Sequence, residues 1–442
     1  MQVGAIDRLG PNDVMYLATE GRLPANFGAV LRLDGPSTID VDSARRTFDR
    51  RTTAVPRLRQ RVRRVPLGFG RPLWVDADDF DIARQVTALT CPPPGDERAL
   101  LDVMAEVVQR RFNRRHPLWR AVLVEGLEAG GVAVVLVVQH ALADGIGGLA
   151  VLAGLVDGMA PPPLPPQRRR MPPLPDVFVD AMRTRWLAVR SLPAHLRELR
   201  HALVAVHRSG GRRAPTTSLN RPTGVQRRFG VVSARLADVV AVAHEHDATV
   251  NDVALTAAAG ALRRLLADRG EAVDRLVFSI PAAARPHDGG RSLGNAVGVM
   301  PVQVPTIGDP WQRLAETARR TRAAKQAGRG IPPGLVDAFS RVMAALRLAE
   351  RSVDHQHMIN TFLTNVRGPE TPLRLLGRQI TQVVPVSPTM GNVTASFCVF
   401  SYAGNLTITV VTDPQGCPEG PSLERFLDEQ LAQLTGAVAR AT

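Results

Sequence analysis

The most regular apolar pattern in the chain is the run from Val132 to Val138, closed by Gln139 and preceded by Gly130-Gly131. An unbroken apolar run of that length, rich in β-branched residues, predicts a strand buried on both faces. After His140-Ala-Leu-Ala-Asp144-Gly145 comes IGGLAVLAGLVDG, a helix of small residues ending near Gly158. From Asp176 onward Phe178, Met182, Trp186, Val189, Leu192, Leu196, Leu199, Leu203 and Val206 recur at threes and fours. That spacing predicts an amphipathic helix, which Pro193 should kink or split. A second helix is predicted over 250–266, stopping at Gly270, and a third over 423–438. Strand-like runs fall at 276–280, 299–304, 359–363 and 380–386, and ASFCVFSYAGNLTITVVTD predicts a hairpin turning at Ala403-Gly404-Asn405. Strands and helices alternate in both halves, so the class is α/β or α+β with two lobes of similar size.

Composition divides these elements. Eight prolines and Arg168-Arg169-Arg170 crowd residues 161–175, a stiff extended linker. The predicted organisation is therefore an N-terminal lobe over 1–160, a Pro/Arg-rich linker and amphipathic helix over 161–215, and a C-terminal lobe over 216–442. The 442 residues are 45% hydrophobic, enough for a large core and against disorder. Cys91, Cys398 and Cys417 are far apart, which excludes a disulfide scaffold or a cysteine zinc site. The first residues lack an apolar signal region, and no apolar run approaches the roughly 20 residues that span a bilayer. A cytoplasmic protein is expected.

The formal charge of +14 raises a nucleic-acid reading, but Lys325 is the sole lysine. Arginine filling ordinary surface positions explains most of that balance. No helix-turn-helix, zinc finger or aromatic RNA-binding stretch accompanies it, so nucleic acid is not expected as a partner. Residues 160–215 hold eleven Arg against three acids. The plainer reading there is a bridging helix with a solvated face; the sharper one is a helix resting on a membrane or lipid droplet.

The chemistry points to His140, with Asp144 and Gly145 following at the end of the buried strand. A histidine there projects into a cleft, and neutral imidazole is the natural base for taking a proton from an alcohol, amine or thiol. The glycine permits a tight bend. His244, His246, His355 and His357 form no set at metal-ligand spacing, and GxSxG, Walker A, GxGxxG and HExxH are absent from the sequence. Taken alone, HxxxDG reads more readily as a core histidine satisfied by hydrogen bonds than as a catalytic one.

Several ordered segments change that balance. They are Leu9-Gly-Pro-Asn-Asp13, Arg71-Pro-Leu-Trp-Val75 with Asp79-Phe80-Asp81, Pro117-Leu118-Trp119, and the His140–Gly145 motif. Ser218-Leu219-Asn220 leading to Arg227-Arg228, Thr249-Val-Asn251-Asp252, Gly294-Asn295, Thr364-Asn365-Val-Arg-Gly368-Pro369 and Ser401-Tyr-Ala-Gly404 follow. In this order the chain resembles the bacterial wax ester synthase/diacylglycerol acyltransferases, relatives of chloramphenicol acetyltransferase and of nonribosomal-peptide condensation domains. The family pattern is HHxxxDG, and Gln139 stands here in place of the first histidine. Gln85 also stands where many relatives carry a histidine.

The resemblance implies two chloramphenicol-acetyltransferase-like lobes with mixed sheets and an interface tunnel. It implies acyl-CoA as co-substrate with no bound cofactor or metal, and diacylglycerol or a long-chain alcohol as acceptor. His140 is then the general base, Asp144 a structural support paired with Arg285, and Gly145 a loop-shaping residue. Asn251 takes an orienting or oxyanion role, although Asn and Asp at a helix start are also common caps. Gln139, Asn365 and Gly368 fall on the substrate side, while Trp119 is expected to anchor the core. Two other readings stay open: an acyltransferase for a polar alcohol or amine, and a non-catalytic relative that binds acyl thioesters.

Overall fold

The structure is a computed structural model and describes residues 6–21, 25–68, 70–128, 130–143, 145–158, 170–190, 213–283, 297–326, 348–389 and 391–436. The first half runs α1 (Pro11–Ala18), β1 (Asn26–Leu33), α2 (Val41–Thr52), β2 (Gln60–Arg63), β3 (Leu73–Asp76), α3 (Ile82–Gln85), β4 (Val86–Thr90), α4 (Glu97–Gln109), β5 (Trp119–Glu125), β6 (Val132–Gln139), α5 (Gly145–Leu155) and α6 (Leu174–Arg190). The second half runs β7 (Arg228–Arg235), α7 (Leu236–Glu245), α8 (Val250–Asp268), β8 (Arg275–Ala283), β9 (Val297–Pro305), α9 (Pro310–Gln326), α10 (Ala349–Asp354), β10 (Thr361–Arg367), β11 (Arg374–Leu375), β12 (Arg378–Val386), β13 (Ala395–Tyr402), β14 (Asn405–Thr412) and α11 (Gly420–Gly436).

Two six-stranded mixed sheets organise these elements. The first has the order β11-β12-β1-β6-β5-β4, antiparallel except where β4 runs parallel to β5. The second has the order β7-β14-β13-β10-β8-β9, with β10 parallel to both of its neighbours. A boundary at 216 therefore does not separate the sheets, because β11 and β12 come from the second half and join the first. β12 pairs with β1 from Gly28 opposite Val386 to Leu33 opposite Ile380. On its other side β1 pairs with β6, and Gly28 is dictated there, since a Cβ would lie 1.9 Å from the Leu136 carbonyl oxygen.

All eight residues of β6 are buried, as its unbroken apolar run predicts. One face of the first sheet packs with Phe48 of α2, Trp119, Leu136, Val138 and Val151 of α5. The other packs Val135 and Val137 against Met104 and Val108 of α4. Each such buried side chain stabilises the fold by about 1.5–3 kcal/mol. Trp119 is buried and its indole N–H donates to the Leu58 carbonyl at 2.7 Å, the core anchor its sequence element predicts. Helix α4 also reaches the second sheet, where the Arg98 guanidinium donates to the Phe229 carbonyl at 2.8 Å. The Tyr402 hydroxyl donates to the Ile380 carbonyl at 3.0 Å and accepts from the Leu373 N–H at 2.7 Å, tying β13 to β12.

In the second sheet the predicted hairpin is β13–β14, whose two-residue turn puts Ala403 and Gly404 at positive φ. That geometry matches the right-handed twist of the paired strands. Helix α8, predicted as Ala- and Leu-rich, is buried from Asp252 to Leu262 beside α11. Of the long amphipathic helix, the described portion is α6; Pro193, the linker arginines 168 and 169, and residues 191–212 lie outside the described residues.

Candidate active site

His140 is the first residue past β6, and the backbone around it is pinned on both sides. Its N–H donates to the Ala25 carbonyl at 2.8 Å, and the Gln139 N–H donates to the Leu118 carbonyl at 2.9 Å. The Leu142 N–H then donates to the Gln139 carbonyl at 2.8 Å, closing the turn that leads into α5. Strand alternation places His140 on the same side as Val138 and its cross-strand partner Phe27.

The half-buried His140 ring rests between two aromatic side chains. Tyr16 of α1 stacks on it with ring centroids 4.2 Å apart and an interplanar angle of 18°. Phe27 of β1 meets it at 5.2 Å and 57°. Each is held by local structure that its sequence dictates. Helix α1 starts with Pro11 at its first turn, and the Gly10 N–H donates to the Asp13 carboxylate at 2.8 Å, a capping device. Past its C-terminal end, Arg114 donates to the Leu17 carbonyl and to the nearly buried Glu20 carboxylate, the latter at 2.8 Å. Phe27 in turn lies against Gly148 of α5, where a Cβ would come within 2.5 Å of the phenyl ring. The small-residue character of α5 has a local cause there: it lets Phe27 approach.

Gln139 is fully buried and points to the α4 side of the sheet, opposite Asn26. Its side-chain oxygen accepts the Ala141 N–H, so it supports the turn that carries His140. The placing of Gln139 on the substrate side stands on the sequence resemblance alone. Gly368 also has a packing cause, since a Cβ there would lie 2.4 Å from the Ser401 carbonyl oxygen and 2.5 Å from the Phe400 ring. Asn251 and Asn365 are brought together, the Asn365 amide donating to the Asn251 amide oxygen over a long 3.4 Å. The neighbouring Thr249 and Asp252 form the capping box of α8, and the Asp252 carboxylate accepts the Thr321 hydroxyl at 2.7 Å. Thr249 is thus the cap and Asp252 its partner in the box, and Asn251 is left to its amide partner. Gly145 opens α5, whereas Asp144 and Arg285 lie outside the described residues, so their pairing stands on sequence alone.

The cysteines offer no alternative nucleophile. All three are buried, and burial pushes the thiols up, Cys398 to about 11 and Cys417 to about 12. Among the described residues no three His, Cys, Asp or Glu side chains are placed to hold a metal, and no helix is long and apolar enough to cross a membrane. A cavity of about 640 Å³ opens on the α4 side of the first sheet, lined by Arg98, Glu106, Arg110, Arg227, Arg228 and Pro414, away from His140.

Sequence reasoning did not find Tyr16, Phe27 or Arg114. Gly10-Pro11 with Asp13 marks a helix start, but nothing local says that the next turn will stack on residue 140.

A half-buried imidazole between aromatic rings, on a rigid strand end, can take and return a proton. Known proteins resemble this chain in sequence and fold. The profile of the wax ester synthase/diacylglycerol acyltransferase catalytic domain matches residues 9–254, and that of the WS/DGAT C-terminal domain matches residues 293–435. A Mycobacterium tuberculosis protein named probable diacylglycerol O-acyltransferase tgs1 is 30% identical, over 94% of this chain and 92% of its own. The solved wax ester synthase/diacylglycerol acyltransferase from Marinobacter aquaeolei superposes with a TM-score of 0.69 at 23% identity, covering 97% of this chain and 98% of its own. A starter condensation domain of the rhizomide synthetase RzmA, solved in complex with C8-CoA, superposes with a TM-score of 0.62 at 14% identity, covering 97% and 95%. Both solved structures share the fold.

Proposed function

The chain belongs to the wax ester synthase/diacylglycerol acyltransferase family, and on that premise we propose that it moves a fatty acyl group from acyl-CoA to diacylglycerol or a long-chain alcohol with His140 as general base. The observation that carries the assignment of the base is the position of His140, at the end of a fully buried strand but itself only partly buried. The acceptor hydroxyl loses its proton to the imidazole as its oxygen attacks the thioester carbonyl. The tetrahedral intermediate then collapses, the carbon–sulfur bond breaks, and the imidazolium returns the proton to the departing thiolate. Acyl-CoA and acceptor reach His140 from opposite ends of a passage between the two halves. No covalent acyl-enzyme is required, because positioning and proton handling suffice for thioester-to-alcohol transfer. Asn251, oriented by Asn365, is assigned the polar contact to the thioester oxygen.

The test is His140→Ala. Acyl transfer from palmitoyl-CoA to dioleoylglycerol or hexadecanol, followed by free thiol, should fall by roughly 10²-fold or more while the fold is kept. An unchanged rate refutes the role of His140. A parent enzyme that transfers to a polar amine but to neither lipid points to the polar-acceptor reading instead.

The same reading includes a lipid surface as the place of work. Phe178, Val179, Trp186, Leu187 and Val189 of α6 are exposed, Val189 to 69%, beside Arg183, Arg185 and Arg190. An apolar face flanked by arginines suits the surface of an anionic membrane or a lipid droplet. Flotation with anionic liposomes should show binding that weakens as salt rises, and no binding at low salt refutes it.

A further inference from the structure

We infer that Tyr16 is a positioning residue that holds the His140 imidazole in its catalytic plane and favours its protonated form through the face of the phenol ring. The inference rests on the reading of His140 as general base. Its ground is the near-parallel stack, 4.2 Å between centroids and 18° between planes, against a ring whose backbone is fixed by the Ala25 carbonyl.

The chemistry follows from the ring's quadrupole. The face of an aromatic ring attracts a cation and gains little from a neutral partner. When the acceptor hydroxyl gives up its proton, His140 changes from imidazole to imidazolium while the Tyr16 face stays in place. The stack therefore grows stronger as the proton arrives, which is the differential stabilisation that speeds a chemical step. Phe27 meets the same ring at a steep 57° tilt and fixes its plane. The stack in turn depends on helix α1, which is fastened by the Asp13 cap and by Arg114 on Glu20.

Titratable groups also stand on the elements packed around this ring. On α1 and its continuation the titratable groups are Asp13, Tyr16 and Glu20, the last taken up by Arg114. At this end of the sheet β1 and β6 contribute Asn26, Phe27, Val138 and Gln139, and α5 carries no ionisable side chain. Helix α10 packs on α1 and carries Glu350, Arg351 and Asp354, with His355 just beyond it. Asp144 lies outside the described residues.

The experiment pairs two readouts on the full-length protein: the His140 titration followed by NMR of histidine-labelled enzyme, assigned with His140→Ala, and the pH profile of kcat/KM. Tyr16→Leu should move the His140 titration and the acid limb of kcat/KM to lower pH by about 0.5 unit or more, with kcat down about 3–10-fold. Tyr16→Phe keeps the ring and should restore both to near the parent values. If Tyr16→Leu does not fold, Tyr16→Met fills a similar volume without a π face and takes its place. A titration and an acid limb that stay put when the ring is removed overturn the inference. Full activity in His140→Ala would instead remove the underlying reading, while the NMR shift would still report the stack.

Discussion

Asn26 and Gln139 sit directly opposite each other across the β1–β6 pair, both fully buried, with one amide atom of each unanswered by any described hydrogen bond. The Asn26 nitrogen donates to the Val108 carbonyl at 2.7 Å and the Arg110 carbonyl at 3.1 Å, leaving its oxygen. The Gln139 oxygen takes the Ala141 N–H, leaving its nitrogen. Asn26 thus fastens β1 to the end of α4, and Gln139 braces the turn behind His140. Gln139→Met keeps the length and deletes the acceptor, so a buried N–H loses its partner. Urea denaturation should show a loss of about 1–3 kcal/mol, accompanied by slower acyl transfer.

Gly148 and Gly154 make a matched test of the packing beneath the site. A methyl at Gly148 would press within 2.5 Å of Phe27, which touches His140; one at Gly154 would press within 2.4 Å of Val55. Overpacking costs about 1–3 kcal/mol in either place, partly offset by the better helix propensity of Ala. Gly148→Ala should lower kcat several-fold beyond any stability loss. Gly154→Ala should lose stability alone, read as a shift in denaturation midpoint with kcat kept.

Arg114 and Glu20 form an ion pair in which the carboxylate is only 7% exposed and the guanidinium 35%. Arg114→Ala strands that carboxylate and should cost about 1–3 kcal/mol, below the full buried-pair figure because Arg114 is partly solvated. The end of α1 should loosen with it, so transfer slows. Adding Glu20→Gln to Arg114→Ala should recover part of the stability in a double-mutant cycle.

Glu424 gives a pH dependence. It accepts the Val231 N–H at 2.8 Å on the edge strand β7, and burial raises its carboxyl above the usual range, against the pull of Val231 and Arg98. A raised pKa means that the folded state binds this proton more tightly than the unfolded chain. The contribution therefore favours folding most at low pH and declines as pH rises through the window between the two values. Glu424→Gln, which still accepts the N–H, removes that titration. Its stability relative to the parent should improve as pH rises from roughly 4 to 7 in urea melts.

The elements legible in the sequence are those whose pattern is local. The unbroken run of β6, the small-residue helix α5, the Ala-rich α8 and the Ala403-Gly404 turn all follow from period, length or turn chemistry. The prediction for 359–363 was displaced, as β10 runs Thr361–Arg367, because a short run does not mark where pairing with β13 ends. Nothing in residues 380–386 says which sheet they join, since strand pattern reports burial and not partner. The same limit applies at the site. His140 was legible from its place after β6, but Tyr16, 124 positions earlier, meets it only because α1 folds back over the strand end. Gln139 and His140 share that limit, since one step along a strand turns a side chain to the other face.

The loan of β12 to the first sheet bears on how this molecule can be cut. A fragment ending near 216 would leave the outer border of β1 bare, with its amide and carbonyl groups open to any other extended chain. Such a piece invites clumping, because β12 is the strand that covers that border.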